Sequence, residues 1–404
     1  MINEYKKYLK DIEFFNNSKN LIKDSYKHQD ILSLKGFEKA LKEISSWDDY
    51  KITPLMDLKD LAKETGVSKL YYKNEHYRFD LKSFKALGGA YAVANLLIGK
   101  LKEKGINANS NDLLVGTYKD ITNKITVSCA TDGNHGKSVA WGASIFGCNC
   151  EIIIHALVST VRENEIAKYG AKVTRTDGNY DESVQYADKI ALEKGYFTVS
   201  DTSYEGYTEI PKDVMQGYTV MVGEALKQIN EKPTHIFLQG GVGGMAAAVA
   251  SFVLETYGSD SPIFVLVEPT NADCLLQSAK NGKPTVVHGN LDTIMAGLSC
   301  GEISLLAWKI LEHKTKGFLS IPDEPITKVM KLLANLKEPI VSGESAVAGL
   351  AGFLIVQHDK EYRKELEIDE NSKILFFGTE GDTDKTIYEK IVGKSSDEVL
   401  GTDR

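Results

Sequence analysis

From about residue 126 the chain alternates short apolar runs with longer stretches whose apolar positions recur every three or four residues. ITVSCA (125–130) precedes GKSVAWGASIFG, CEIIIHAL (150–157) precedes STVRENEIAKYG, and AKVTRT (171–176) precedes DESVQYADKIALEKG. The short runs have the length and composition of buried strands, and the longer ones carry a helical period. Strands that alternate with helices pair mostly in parallel. The pattern therefore predicts an α/β fold, each sheet flanked by helices, with ligands gathering at the carboxyl ends of the strands. The rhythm returns at THIFLQ (234–239), PIFVLVEP (262–269) and SKILFFG (372–378). Two such series predict two lobes, a large one from residues 1–91 and 201–404 and a small one from residues 92–200. No internal repeat and no Pro- or Gly/Ser-rich linker marks the junction, so these bounds rest on topology alone.

Composition narrows the function classes more than the fold. With 404 residues, 42% hydrophobic and 26% charged, the chain is an ordinary globular one, and a prior of roughly 100–200 residues per domain agrees with two units. The net charge of -8 comes from scattered Asp and Glu. No Lys/Arg stripe offers the footprint a nucleic acid needs. The longest mostly apolar stretch, around GGMAAAVASFVL, falls short of the ~20 residues of a membrane helix, and MINEYKKYLKDIEFF lacks the apolar core of an export signal. A cytoplasmic location is expected.

The five cysteines are Cys129, Cys148, Cys150, Cys274 and Cys300, an odd set that suggests no disulfide framework. Cys148 and Cys150 find no second pair or spaced histidine to complete a zinc site. Cys274 and Cys300 could pair if they lie close in space; free buried thiols are the expected state. The acidic GTEGDTD stretch lacks the spacing and terminal Glu of a calcium loop, and no required metal is expected.

Candidate chemistry begins at RFDLKSFKALGGAYAV (78–93), where Lys85 is followed by what reads as the start of a buried helix. A desolvated lysine gives up its proton more readily, because burial disfavours the charged form, and the free amine can attack an aldehyde. A second signal lies in HIFLQGGVGGMAAAVASFVL: a strand ending at Gln239, then Gly240, Gly241, Val242, Gly243 and Gly244, then an Ala-rich helix. Glycines let backbone approach an anion, and a helix N-terminus adds positive partial charge, so the loop suits a phosphate. No Gly-Lys-Ser/Thr follows, and the spacing departs from the dinucleotide fingerprint. Tight strand–helix packing is the alternative use of these glycines. A third signal is TDGNHG, which places Asp132, Asn134 and His135 in one strand–helix turn. Asn134 can donate and accept, Asp132 can act as base or counter-ion, and His135 can be a packed orienting residue or a catalyst.

An amine, a phosphate cradle and a polar loop together suit pyridoxal 5'-phosphate (PLP). S-F-K-x-L-G-G, T-D-G-N-H-G, G-G-V-G-G-M and G-T-E-G-D-T-D, in this order, resemble the fold-type II pyridoxal-phosphate enzymes of the tryptophan synthase β and threonine dehydratase group. Within that group the chain is most similar to the ammonia-lyases that act on 2,3-diaminopropionate. The likeness runs from about Lys51 to beyond Asp384 and includes SDTSYEGYTEIP, VLVEPTNADC, TIMAGLSCGE and VSGESAVAGL.

The resemblance implies that Lys85 carries the cofactor's aldehyde, that Asn134 meets its 3'-oxygen and that Gly240 to Gly244 hold its phosphate. Many relatives have a serine where this chain has Gly378, so the ring nitrogen's partner is expected to be the hydroxyl of Thr379. A hydroxyl leaves that nitrogen largely unprotonated, which favours elimination. Asp132 stands where dehydratases commonly carry a small hydroxyl residue; a carboxylate there would repel a substrate carboxylate and attract a β-ammonium. By the same resemblance Lys85 removes the α-proton of the L-isomer and Asp132 that of the D-isomer, with Asp201 as the second carboxylate. The products would be pyruvate and two ammonia. Ser342, Glu344 and Ser345 are expected near the ring or substrate, and Tyr180 along the pocket, beside a reading of each as ordinary loop or helix packing. The alternative for Asp132 is a cap on the helix that follows, and for Asp201 a cap or brace of its turn. A serine or threonine dehydratase and a β-replacement synthase are the rival activities, and a homodimer is the expected assembly.

Overall fold

Apolar runs become strands wherever both of their faces can be covered. The computed structural model describes residues 2–402 other than Lys23, Asp132, Leu157 and Asn179, and of Tyr180 and Asp181 the backbone alone. In chain order the strands are β1 (Glu13–Asn16), β2 (Leu55–Asp57), β3 (Lys69–Asn74), β4 (Thr126–Ala130), β5 (Asn149–Ile154) and β6 (Lys172–Arg175). They continue with β7 (Phe197–Thr198), β8 (His235–Gln239), β9 (Ile263–Pro269), β10 (Thr315–Ile321) and β11 (Lys373–Gly378).

Contacts divide the chain into two units: Met1–Ser33 with Thr53–Tyr77 and Val222–Arg404, and Leu34–Ile52 with Arg78–Met221. The first holds a seven-stranded sheet in the order β1-β10-β9-β8-β11-β3-β2. Its inner pairs are all parallel, and only the edge strands β1 and β2 run antiparallel. β8 and β10 are buried along their whole length, as continuous apolar runs covered on both faces must be. Phe237 of β8 and Phe376 of β11 meet Phe353 of the Ala348–Val356 helix, with ring centroids 5.6 and 5.7 Å from it. A lysine–glutamate ion pair is buried in this unit. Lys73 Nζ donates to Thr53 O at 2.7 Å, Glu224 Oε2 at 2.8 Å and Gln228 Oε1 at 2.9 Å, so its hydrogens are matched although no water reaches it.

The second unit holds a four-stranded sheet, β6-β5-β4-β7, parallel throughout. Its helix Lys85–Glu103 packs on the helix Asn134–Phe146 at a separation set by glycine. A Cβ on Gly89 would stand 2.4 Å from Ser138 Oγ, and one on Gly142 would stand 2.8 Å from Ala90 Cα. On another side Gly217 admits the backbone of the same helix, since its Cβ would lie 2.1 Å from Leu87 O. Lys85 thus heads a helix clamped along its first two turns.

The division by contacts runs differently from the one expected along the sequence. Residues 34–52, 78–91 and 201–221, expected with the large lobe, belong to the second unit. The physical reason is this packing: Gly88 and Gly89 tie the start of the Lys85–Glu103 helix to Tyr218 and Ser138.

Gly217→Ala should lower unfolding free energy by about 1–3 kcal/mol, because a rigid carbonyl occupies the methyl's place. Gly99 lies in the same Lys85–Glu103 helix with nothing within 4 Å of its Cβ position. Gly99→Ala should therefore stabilise by about 0.5–1 kcal/mol. Denaturant melts of the two variants, expected to shift in opposite directions, check the clamp.

Candidate active site

Lys85 is the first residue of its helix, and Ser138 fixes that turn by donating from Oγ to Lys85 O at 2.7 Å and accepting from Ala90 N at 3.2 Å. The lysine side chain is one-fifth exposed and its Nζ forms an ion pair with Asp201 Oδ2. The rings of Phe84 and Tyr218 lie 5.4 and 5.7 Å from the ammonium. Lys85 therefore is not a bare, desolvated amine but one half of an ion pair edged by aromatic rings.

Asp201 sits in the loop after β7. Tyr207 shapes that loop, its hydroxyl accepting from Ser200 N at 3.0 Å and donating to Thr198 O at 2.8 Å, while Tyr204 stacks on its ring at 5.0 Å. Burial pushes the Asp201 carboxyl up, but the Lys85 ammonium, with His135 and a backbone hydrogen bond, outweighs it and holds the group well below the usual carboxylate range.

His135 follows Asn134, the first residue of its helix, and is buried. Its Nε2 lies 2.7 Å from Val199 O. A carbonyl only accepts, so Nε2 carries the proton and Nδ1 holds a lone pair. Burial holds the imidazole below its ordinary value, against the pull of Asp201, so the ring is neutral. Gly133, with φ +153°, leads into this helix, and Thr131 Oγ1 accepts from the amides of Gly133 and Gly136, both at 3.1 Å. Asp132 lies outside the described residues, as does the side chain of Tyr180, whose backbone opens the Tyr180–Lys194 helix.

In the first unit, Gly240–Gly244 connects β8 to the helix Gly244–Tyr257. A Cβ on Gly240 would meet Leu275 Cδ1 at 2.6 Å, and Gly243, at φ +94°, stands at the helix start with no side-chain cap. Gly240 N donates to Val267 O at 2.9 Å, while the amides of residues 241–244 have no partner among the described residues. Unpaired amides at an uncapped helix start, walled so closely that side chains are excluded, fit a phosphate.

Thr379 follows the end of β11, nearly buried. Its Oγ1 accepts from Gln239 Nε2 at 2.8 Å, which leaves the hydroxyl hydrogen to be donated. Such a donor fits an unprotonated ring nitrogen. Gly378 is glycine because Tyr72 fills the space: a Cβ there would lie 2.1 Å from the tyrosine ring. Tyr72 Oη in turn lies 2.5 Å from Ser342 Oγ. Ser345 Oγ accepts from Gly297 N at 2.9 Å, and Ser345 N donates to Glu380 Oε1 at 3.0 Å, so this turn braces the 296–298 turn beside Gly241. Glu344 is buried. Cys274 and Cys300 are not joined by a disulfide, and Cys274 Sγ donates to Gly241 O at 3.6 Å.

The structure brings Lys85, His135 and Asp201 together in one unit, with Asn134 beside His135 in sequence. Gly240–Gly244, Thr379, Ser342, Glu344 and Ser345 belong to the other. Sequence reasoning passed over Ser138, Tyr207 and Gln239. Only Tyr207 left a signal, two tyrosines flanking Glu-Gly in a loop next to an aspartate.

An amine at a helix head against a carboxylate, and a glycine-walled loop after a parallel strand that fits a phosphate, agree with a pyridoxal-phosphate enzyme of fold type II. A family profile described as "Pyridoxal-phosphate dependent enzyme" matches residues 47–379, and the chain belongs to that family. The chain is 37% identical over 360 residues to the diaminopropionate ammonia-lyase of Salmonella typhimurium, covering 85% of this chain and 88% of that one. With the diaminopropionate ammonia-lyase of Escherichia coli K12 it shares 39% identity over 353 residues, 85% of this chain and 87% of the relative. The crystal structure of the holo form of diaminopropionate ammonia lyase from Escherichia coli superposes with a TM-score of 0.87 at 35% identity, covering 94% of this chain and 96% of that one.

Lys85→Ala should bind pyridoxal phosphate without the visible absorption band that attachment to a lysine produces. A full band in that variant assigns the anchor to another residue.

Proposed function

We propose that this protein is a PLP-dependent carbon–nitrogen lyase that eliminates ammonia from D- and L-2,3-diaminopropionate, giving pyruvate and two ammonia. The observation that carries this reading is the pairing of Lys85 with Asp201 in a chain so similar to diaminopropionate ammonia-lyases. When bound, the cofactor supplies an aldehyde for amines and a ring that accepts the electrons of a broken Cα–H bond. Lys85 anchors it, and Asn134 faces its 3'-oxygen. In the Gly240–Gly244 loop the amides of Gly241, Val242, Gly243 and Gly244 hold its phosphate while Gly240, its own amide bonded to Val267 O, lets the loop approach closely, and the hydroxyl of Thr379, oriented by Gln239, donates to its ring nitrogen. Ser342, Glu344 and Ser345 shape the turn beside it, His135 stands behind Asp201, and Tyr180 lines the substrate's side.

For the L-isomer, Lys85 takes the α-proton once the substrate's amine has displaced its own; for the D-isomer Asp132 does so from the other face. Asp201, ionised at neutral pH, attracts the substrate's β-ammonium, which leaves as neutral ammonia and needs no added proton. Breaking Cα–H and Cβ–N, then adding one water across the remaining carbon–nitrogen bond, converts diaminopropionate to pyruvate and two ammonia, and the atoms balance. The protein is expected to act as a homodimer in the cytoplasm.

Purified protein supplied with pyridoxal phosphate should release two ammonia per pyruvate from both isomers of diaminopropionate and little pyruvate from L-serine. A preference for serine would make it a dehydratase, and a thiol adduct in place of pyruvate would make it a β-replacement synthase. Asp132→Asn should lower D-isomer turnover by about 10²–10⁴-fold while leaving most L-isomer turnover, the size expected for a lost general base. Undiminished D-isomer turnover would remove Asp132 from that role.

A further inference from the structure

His135 occupies an unusual position for a buried histidine. Its Nε2–H is committed to Val199 O, and Val199 is itself fixed by its N–H to Ser128 O at 2.8 Å. Its Nδ1 is buried without a hydrogen-bond partner among the described residues, 3.9 Å from Asp201 Oδ2. That oxygen is the one paired with Lys85 Nζ. A lone pair facing a carboxylate oxygen gains nothing while both lack a proton between them. It gains a hydrogen bond as soon as one arrives. The gap exceeds hydrogen-bond distance by about 1 Å, within reach of a small carboxylate rotation.

Lys85 must lose a proton before its amine can attack the cofactor's aldehyde. Releasing that proton to solvent would leave Asp201 as a carboxylate without its cation, with only 18% of its side chain exposed to compensate it. We propose that His135 receives it: an N–H bond of the Lys85 ammonium breaks, the proton passes by way of Asp201 Oδ2, and an N–H bond forms at His135 Nδ1. Ammonium, carboxylate and neutral imidazole become amine, carboxylate and imidazolium, so the net charge of the group is unchanged. His135 acts on Lys85 through Asp201 and is a positioning residue that holds a proton.

The ionisable neighbours do not compete. Cys129 of β4, Tyr207 of the Asp201 loop and Tyr218 of the Glu209–Gln228 helix are all pushed upward by burial and stay neutral. Asp132, in the same turn, lies outside the described residues. With burial, the Lys85 charge is what keeps His135 unprotonated, while Asp201 favours protonation. Once Lys85 has given up its charge, only burial still opposes the imidazolium.

This inference rests on the proposed role of Lys85 as cofactor anchor, and the test separates the two. His135→Gln places an amide nitrogen where Nε2 donates to Val199 O but no base where Nδ1 stands. Capture of added pyridoxal phosphate by the cofactor-free chain is followed by the visible band and by borohydride trapping. For H135Q we expect capture about a hundredfold slower than wild type near pH 7, recovering toward about pH 10, where a lysine amine loses its proton unaided. A wild-type rate and pH profile in H135Q would overturn the proposal. Borohydride labelling of a residue other than Lys85 would instead overturn the anchor assignment. On unmutated protein, ¹⁵N NMR of labelled histidines should show His135 as the Nε2–H tautomer without cofactor and as imidazolium after capture. An imidazole that stays neutral would refute the inference even if H135Q failed to fold.

Discussion

The site depends on how closely three helices approach one another. Lys85 is placed by a backbone, not by its own side chain, and that backbone is held where a methyl group on Gly89, Gly142 or Gly217 would collide with its neighbour. Close approach also brings Ser138 Oγ onto Lys85 O and Ala90 N, so that polar groups of the first turn are satisfied inside an apolar interface. Such packing leaves little freedom at the helix head. It allows a flexible four-carbon lysine chain to meet a carboxylate that belongs to a loop 116 residues further along.

The same economy governs the loop that supplies the carboxylate. Asp201 is steered by Tyr207, whose single hydroxyl both donates and accepts across the turn, and by the charge of Lys85. Opposed effects meet at this carboxyl: burial favours its neutral form, the ammonium favours its ionised one, and the ammonium prevails. In the other unit a comparable division holds. Glycines shape the loop proposed to hold the phosphate while Gln239 settles the direction of a threonine hydroxyl from the strand next door.

Much of this was legible in the chain. The alternation of apolar runs and helical periods gives β4, β6, β8, β9 and β11 within a residue, and β5 with an end three residues early, because strands buried on both faces must be apolar throughout. Lys85 and the glycine loop stand out because a lysine before Ala-Leu-Gly-Gly and five loop residues with four glycines are hard to explain by surface chemistry. The lobe bounds were not legible in the same way. Which unit claims residues 34–52 and 78–91 depends on side-chain fit between segments far apart in sequence, and periodicity carries no such information. Nor did it reveal the short edge strands β1 and β2, whose four and three residues are too few to show a period. Gln239 and Ser138 act through single hydrogen bonds to distant backbone, a role any polar residue could fill as far as the sequence is concerned.

Tyr72 limits what the end of β11 can carry. Because its ring occupies the volume beside residue 378, a side chain there would collide with it unless the tyrosine shrinks or moves. The two positions are therefore not independent: they share one volume, and side-chain size gained on β11 has to be given up on β3.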